Sequence, residues 1–288
     1  QAPGADTLVL GIAPPGGKVP PAWRAVILQA IDRGMNILSG LHDFLSDDSQ
    51  LAAAASAKGV CITDVRKNHF KQIARRQGLR EDCCRLHTVG HDCSVGKMVV
   101  SLELERGLKA RGRDACFVAT GQTGIMVSGA GLPIDCMVAD FVNGAAEKLV
   151  LDTQHHEIII VEGQGSLVHP SYSAVTLGLL HGCAPHGLVF VFEAGRDTVG
   201  GLDHVRLPSL PKQRELFETM ASIHQPCETI GLAMNGRCLN KTQADELARA
   251  IEGELGLPVV DVIRDGADRL VDAAEDFYQS KRWQAVPA

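Results

Sequence analysis

Gly90-His91-Asp92-Cys93-Ser94-Val95-Gly96-Lys97-Met98 is the stretch that decides the fold. Its G-x-x-x-x-G-K spacing is that of a phosphate-binding loop, in which backbone N–H groups curl around phosphate oxygens and the lysine adds a point charge. The residue after the lysine is ordinarily Ser or Thr, whose hydroxyl holds Mg²⁺. Met98 has no hydroxyl. The loop is therefore expected to bind a phosphate-bearing ligand, and nucleotide hydrolysis is left open.

In 288 residues with 30 glycines chance would produce this spacing about 0.1 to 0.2 times, so the flanks must support it. Arg85 to Val89 reads as a strand entering the loop, and Lys97 to Arg111 as the helix leaving it. Val99, Val100, Leu102, Leu104 and Leu108 form the apolar stripe of that helix, with Glu103, Glu105, Arg106 and Lys109 turned to water. Strand, glycine loop and helix place the loop N–H groups at a helix N-terminus, where the macrodipole also favours an anion.

Composition bounds the rest. With 45% hydrophobic and 22% charged residues the chain reads as globular, long enough for one large or two smaller domains. A net charge of -6 without a Lys/Arg run argues against a nucleic-acid surface. No uninterrupted apolar run reaches the ~18 residues of a membrane span, and the start of the chain lacks the pattern of a signal peptide. A cytoplasmic location is the default expectation. The nine cysteines are odd in number and form no C-x-x-C pair, so they read as reduced, mostly buried thiols. Cys93 alone falls near expected chemistry.

Outward from the loop, apolar strand-like runs alternate with helical patterns. Before it, Thr7 to Ile12, Ala22 to Asp32 and Asn36 to Leu41 form a small βαβ unit, followed by an Ala-rich helix from Gln50 to Lys58 and a short apolar segment, Gly59 to Val65. Lys67 to Asp82 is polar and aperiodic and reads as a linker. After the loop helix, strands are expected at Ala115 to Thr120, Glu157 to Val161, Leu188 to Phe192, Thr229 to Met234 and Val259 to Ile263. Helices are expected at Ile134 to Leu149, Ser173 to His181, Leu210 to Ile223, Gln243 to Leu255 and Ala267 to Tyr278. Short continuous apolar strands are those of a parallel sheet covered on both faces. The expected fold is α/β: a doubly wound parallel-sheet domain of P-loop NTPase type, residues 83–288, preceded by a smaller Rossmann-like α/β domain, residues 1–82.

Ligands in such sheets sit at the carboxyl ends of strands, so the residues just after each strand are the candidates. They are Gly121-Gln122-Thr123-Gly124, Glu162-Gly163-Gln164-Gly165-Ser166, Glu193-Ala194-Gly195-Arg196 and Asn235-Gly236. Glu162 can hold a cation, accept a proton or grip an ammonium, against the plain reading of a solvated strand end. Asn235 can read a nucleobase edge or simply make an Asn-Gly turn. His169 is either a general base or a loop residue before Pro170, and Ser171 or Ser173 can cap the next helix. Ser166 and Tyr172 belong to the same polar cluster. His155 and His156 lack a third ligand at metal spacing and read as surface. In the first domain His42 and Asp43, with Gly16 and Gly17, end strands and could line a pocket facing the loop. Arg24, Arg66, Arg196 and Arg206 are unranked candidates for a substrate carboxylate.

Four ordered motifs, Val-Gly-His-Asp-Cys-Ser-Val-Gly-Lys-Met, Ala-Thr-Gly-Gln-Thr-Gly-Ile, Ala-Asp-Phe and Val-Glu-Gly-Gln-Gly-Ser-Leu-Val-His-Pro-Ser-Tyr-Ser, together resemble the D-glutamate N-acetyltransferase family, long carried as a P-loop domain of unknown function. The resemblance covers essentially the whole chain, including Ser-Gly-Leu-His near its start, and implies a further stretch before Thr7 in family members. It implies that the loop, Gly90 to Met98 with Asn235, grips acetyl-CoA by its phosphates and that no metal takes part. Glu162 or Asp92, with His169 in reserve, would take the proton of the acceptor amine, and loop N–H groups or Gln122 would stabilise the oxyanion. His42, Gln122, Thr123, Ser166, Ser171 and Tyr172 would line the acceptor site. A wider resemblance is to the dethiobiotin synthetase branch of P-loop proteins. It implies the alternative: ATP activating a carboxylate, with Mg²⁺ on Asp92 and Glu162. A non-catalytic nucleotide-binding protein is the third reading. The expected partner is a small-molecule substrate, with neither nucleic acid nor membrane, and a homo-oligomer is the base-rate expectation.

Overall fold

The computed structural model describes residues 4–12, 14 and 17–284. The doubly wound sheet expected after residue 83 is present. Six parallel strands lie in the order β11-β10-β7-β4-β6-β5: β4 (Cys84–Gly90), β5 (Ala115–Val118), β6 (Ile158–Val161), β7 (Gly187–Glu193), β10 (Glu228–Asn235) and β11 (Val259–Val260). β4, which feeds the phosphate loop, is central, hydrogen-bonded to β6 on one side and β7 on the other. Alternation along β7 shows why its apolar run is continuous. Val189 and Val191 pack in the core beneath α3 (Lys97–Ala110) and α10 (Asp268–Ser280). Leu188, Phe190 and Phe192 pack on the other face with Phe217 of α7 (Leu210–Ala221) and Ile251 of α8 (Lys241–Leu255). α5 (Val142–Thr153) and α6 (Ser173–Cys183) cover Ile159 and Val161 of β6.

Local chemistry sets the helix ends. The Asn240 side chain accepts from Gln243 N–H while Gln243 answers the Asn240 N–H, a capping box that starts α8, and Gly256 ends it at φ 66°. Gly163 is required for a different reason: a Cβ there would lie 1.7 Å from the Thr88 carbonyl oxygen, so only glycine lets β6 leave the sheet beside β4.

The described residues up to Asp64 form a separate parallel sheet, β1-β2-β3, from β1 (Thr7–Leu10), β2 (Asn36–Ser39) and β3 (Ile62–Asp64), covered by α1 (Pro21–Asp32) and α2 (Ser49–Lys58). They close their own core around Ile27, Ile31, Ile37 and Leu51. Residues 67–80 then run on without helix or strand.

Three expectations are corrected. The helix expected from Ile134 begins only at Val142; Ile134–Cys136 and Ala139–Phe141 are separate 3₁₀ turns, an arrangement that leaves Asp135 at the seam between the two sheets. The strand expected through Ile263 stops at Val260, because Asp261 caps the Arg264 N–H and starts the helical turn α9 (Val262–Asp265). A helix, α4 (Gln122–Ser128), and an antiparallel hairpin, β8 (Thr198–Val199) with β9 (Leu202–Arg206), were not expected. Among the described residues no helix is long and apolar enough to cross a membrane. Gly16 lies outside the described residues.

Candidate functional site

The carboxyl ends of β4, β5 and β6 open on a cleft of about 410 Å³, lined by the phosphate loop from Cys93 to Val99, by Gln122 and Thr123, by Glu162 to Gly165, and by Arg66 and Asp135. The loop makes its curl with Ser94 at φ 56° and Gly96 at φ 111°. The N–H groups of Ser94, Val95 and Gly96 have no acceptor among the described residues, as a phosphate cradle requires. Lys97 is buried and donates from Nζ to the carbonyl oxygens of Asp92 (2.7 Å) and Gly165 (2.9 Å). Burial pushes its pKa down to about 8. Asn235 donates from Nδ2 to the Val95 carbonyl (3.3 Å), so in this structure it steadies the loop. Met98 lines the cleft where a metal-binding hydroxyl stands in other loops.

Glu162 is the acid of the cleft. Its Oε2 accepts the N–H groups of Thr120 (2.8 Å) and Gly121 (3.0 Å), while Oε1 has no donor among the described residues. Burial raises its pKa against the pull of those two hydrogen bonds, and nearby Asp135 raises it further. A carboxylate held by one oxygen and offering the other is suited to taking a proton from a bound amine.

Asp92 is placed differently. Its side chain is fully buried and is not among the residues lining the cleft. Oδ1 accepts the Cys93 N–H (2.7 Å), and Oδ2 accepts Arg196 Nη1 (2.9 Å) and the Gly200 N–H (2.6 Å). Burial opposes its ionisation, but these donors together outweigh burial and hold the carboxyl below its usual range. Asp92 thus ties the loop to the β8–β9 hairpin, and both oxygens that a metal would need already face N–H donors.

His169 lies 4.0 Å from Asp92 Oδ1 through Nε2, with the Cys93 thiol close by. The Ser171 N–H reaches its Nδ1 at 3.1 Å. That bond makes Nδ1 the acceptor and leaves the proton on Nε2, so toward Asp92 and Cys93 the neutral ring presents an N–H rather than a lone pair. The trio Asp92, Cys93 and His169 is close enough to surround an ion, yet Asp92 already accepts three N–H groups and His169 turns an N–H where a lone pair is needed. Burial raises the pKa of the Cys93 thiol. His91 turns away from the cleft: its Nε2 accepts the Glu193 N–H (3.1 Å), and burial lowers its pKa to about 4. Ser166 is buried and shapes the turn to His169, whereas Ser171 and Tyr172 are exposed and are not among the residues lining the cleft.

The small domain reaches the cleft through Arg66, His42 and the Gly11 carbonyl, and Asp135, which meets Arg66 and His42, was not among the expected site residues. Arg66 is buried, with Nη1 on Gln122 Oε1 (2.8 Å), Nη2 on Asp135 Oδ2 (2.6 Å) and Nε on the same oxygen (3.1 Å). Gln122 in turn donates to the Gly11 carbonyl (3.3 Å). His42 lies 3.8 Å from Asp135, and burial is the main cause of its lowered pKa. Arg66 is one of the four arginines that the sequence leaves unranked. No local signal placed Asp135 in a turn, since Pro133 suits the first turn of a helix equally well.

Known proteins carry the same arrangement of parts. Residues 69–271 match the model of a domain of unknown function, DUF1611, described as a P-loop domain, and residues 1–68 match its N-terminal partner, described as a Rossmann-like domain. A D-glutamate N-acetyltransferase of Tritonibacter scottomollicae is 41% identical over 274 residues, 95% of this chain and 82% of that protein. A D-glutamate N-acetyltransferase of Pseudoalteromonas sp is 41% identical over 269 residues, 93% of this chain and 81% of that one. A crystal structure of a DUF1611 family protein from Anabaena variabilis superposes with a TM-score of 0.89 at 39% identity, covering 94% of this chain and 80% of that one.

Proposed function

The chain belongs to the DUF1611 family, whose Rossmann-like and P-loop parts it carries in order, and on that footing we propose that it transfers an acetyl group from acetyl-CoA to the amine of D-glutamate. The observation that carries this reading is that Lys97 with its loop and Glu162 with its open oxygen line one cleft. The names of two relatives at 41% identity support the same chemistry.

In this reading the loop N–H groups and Lys97 hold the phosphates of acetyl-CoA, which supplies the thioester carbonyl. Glu162 Oε1 removes one proton from the acceptor ammonium, the freed amine attacks the thioester carbon, and as the C–S bond breaks the second nitrogen proton passes to the departing sulfur, leaving the amide and the CoA thiol. Gln122 and Thr123 open α4 and line the cleft, and their N–H groups or those of the loop would take up the charge that develops on the carbonyl oxygen. His169, with its N–H toward Asp92 and Cys93, serves the loop and not proton removal. Because no phosphoryl group moves, Met98 in place of a hydroxyl residue costs this reaction nothing.

Free thiol released from acetyl-CoA, followed with and without D-glutamate and with and without EDTA, tests it. Release that needs D-glutamate and ignores EDTA is expected. ATP-dependent ADP formation with no response to acetyl-CoA would replace this reading by carboxylate activation, and ligand-induced thermal stabilisation without turnover in either assay would replace it by binding alone.

A further inference from the structure

Of the four arginines open to a substrate carboxylate, one lines the cleft. Arg24 is paired with Asp48 within the small domain. Arg196 closes on Asp92 and Glu193, and Arg206 borders a separate hollow beside His91. Arg66 remains, and its donors are not all used. A guanidinium carries five N–H groups. Arg66 gives the one on Nε and one on Nη2 to Asp135, and one on Nη1 to Gln122. One N–H on each terminal nitrogen is left without an acceptor among the described residues, on a side chain only 7% exposed. Buried donors are ordinarily satisfied, and two on neighbouring nitrogens fit a carboxylate.

The charge beside it points to the rest of the ligand. Asp135 contacts Arg66 at 2.6 Å and lines the same cleft as Glu162, close enough to raise its pKa. A guanidinium in contact with a carboxylate is the complement of a molecule that carries a carboxylate and an ammonium on one carbon. Resting on the acetyl-transfer reading, we infer that Arg66 and Asp135 form the receptor for an α-amino acid zwitterion, Arg66 taking the α-carboxylate while the α-ammonium lies between Asp135 and Glu162. Arg66 comes from the chain that follows β3 and Asp135 from the P-loop domain, so the receptor is complete only where the two meet. Acceptor choice is then a property of the seam.

Titration calorimetry on the whole chain with CoA present tests the receptor, with D-glutamate as one probe and γ-aminobutyrate, which lacks the α-carboxylate, as the other. Wild type is expected to bind D-glutamate about 100-fold more tightly than γ-aminobutyrate. R66Q/D135N removes both charges together and strands neither. It is expected to bind D-glutamate about 100-fold more weakly and to rank the two probes alike. Should that variant fail to fold, R66K keeps the charge but loses the planar fork, and a loss of about tenfold is expected. Wild type that binds both probes equally or binds neither, R66Q/D135N that binds D-glutamate within about threefold of wild type, or R66K with unchanged affinity each overturns the receptor. Thiol release in the same samples reads the transfer separately. Binding that depends on Arg66 without thiol release rejects the transfer and keeps the receptor; thiol release with binding indifferent to Arg66 rejects the receptor alone.

Discussion

Glu162 Oε2 accepts the backbone N–H of Thr120 at 2.8 Å, so the acid that ends β6 is held by the chain leaving β5. This fixes one oxygen and leaves the other for chemistry. E162Q keeps the shape and removes the base, and kcat is expected to fall by about 10² to 10⁴ with the KM for acetyl-CoA little changed. The pKa of Glu162 is raised, by burial first, so kcat/KM in wild type should climb as pH rises through that value, and E162Q should lack this limb. Stability runs the other way: the folded-state pKa lies above the unfolded one, so the group's contribution is full below the unfolded pKa and is lost as pH rises through the folded pKa. Near neutral pH E162Q should melt no lower than wild type.

Lys97 gives a second pH signature. Its pKa is pushed down to about 8 by burial in the free protein, and a phosphate beside Nζ favours the charged form. CoA binding above about pH 8 should therefore take up a proton, and affinity should fall as pH rises beyond that point. Calorimetry at pH ~8.5 in two buffers of different ionisation enthalpy measures the uptake. K97M should abolish both the uptake and most of the affinity.

Lys97 was legible from the spacing of the phosphate loop, and Glu162 because a parallel sheet gathers its strand ends at one edge, so reading the residues after each apolar run finds it together with Gln122. The role of Asp92 was not legible. Its donors Arg196 and Gly200 lie 104 and 108 residues further along the chain, in and beside a hairpin too short and polar to show a period of two. Arg66 could not be ranked above Arg24, Arg196 and Arg206 for a related reason: the polar stretch from residue 67 has no periodicity, and nothing local says that the arginine before it turns inward to meet Asp135. The helix expected from Ile134 failed because apolar spacing alone cannot separate two 3₁₀ turns from the first turns of a helix.

Gly163 tests the packing beneath the site. An added Cβ would lie 1.7 Å from the Thr88 carbonyl oxygen and 3.0 Å from Cδ of Lys97. Backbone cannot yield as a side-chain tip can, so G163A should lose about 3 kcal/mol or more, or displace Glu162. Chemical denaturation measures the first outcome and the E162Q-like loss of kcat the second. G253A, on an open face of α8 where a Cβ meets nothing within 4 Å, is the control and should be neutral or stabilising.

Arg196 holds the buried Asp92 from the hairpin side. R196A removes a charged donor and leaves two backbone N–H groups, so a loss of about 2 kcal/mol is expected. Asp92 has a lowered pKa, so its contribution to stability is present above the unfolded-state pKa and disappears as pH falls through the folded one. Without Arg196 that folded value rises toward the ordinary one, and the acid-unfolding midpoint should move to higher pH. Circular dichroism across an acid titration of R196A and wild type checks the shift; coincident curves would remove Arg196 from the account of Asp92.

Met98 invites the reverse experiment, restoring the hydroxyl that most such loops carry. If that hydroxyl were all the loop lacked, M98T with ATP and Mg²⁺ would release phosphate. The geometry around Asp92 argues otherwise. A metal at the loop needs a second ligand as well, and both Asp92 oxygens accept N–H groups while His169 presents its Nε2–H. M98T should therefore show no Mg²⁺-dependent phosphate release above wild type, measured with inorganic phosphate detection, while retaining acetyl-CoA-dependent thiol release within about tenfold. Phosphate release in M98T would show instead that the loop reaches a metal through Glu162, and would return carboxylate activation to the front.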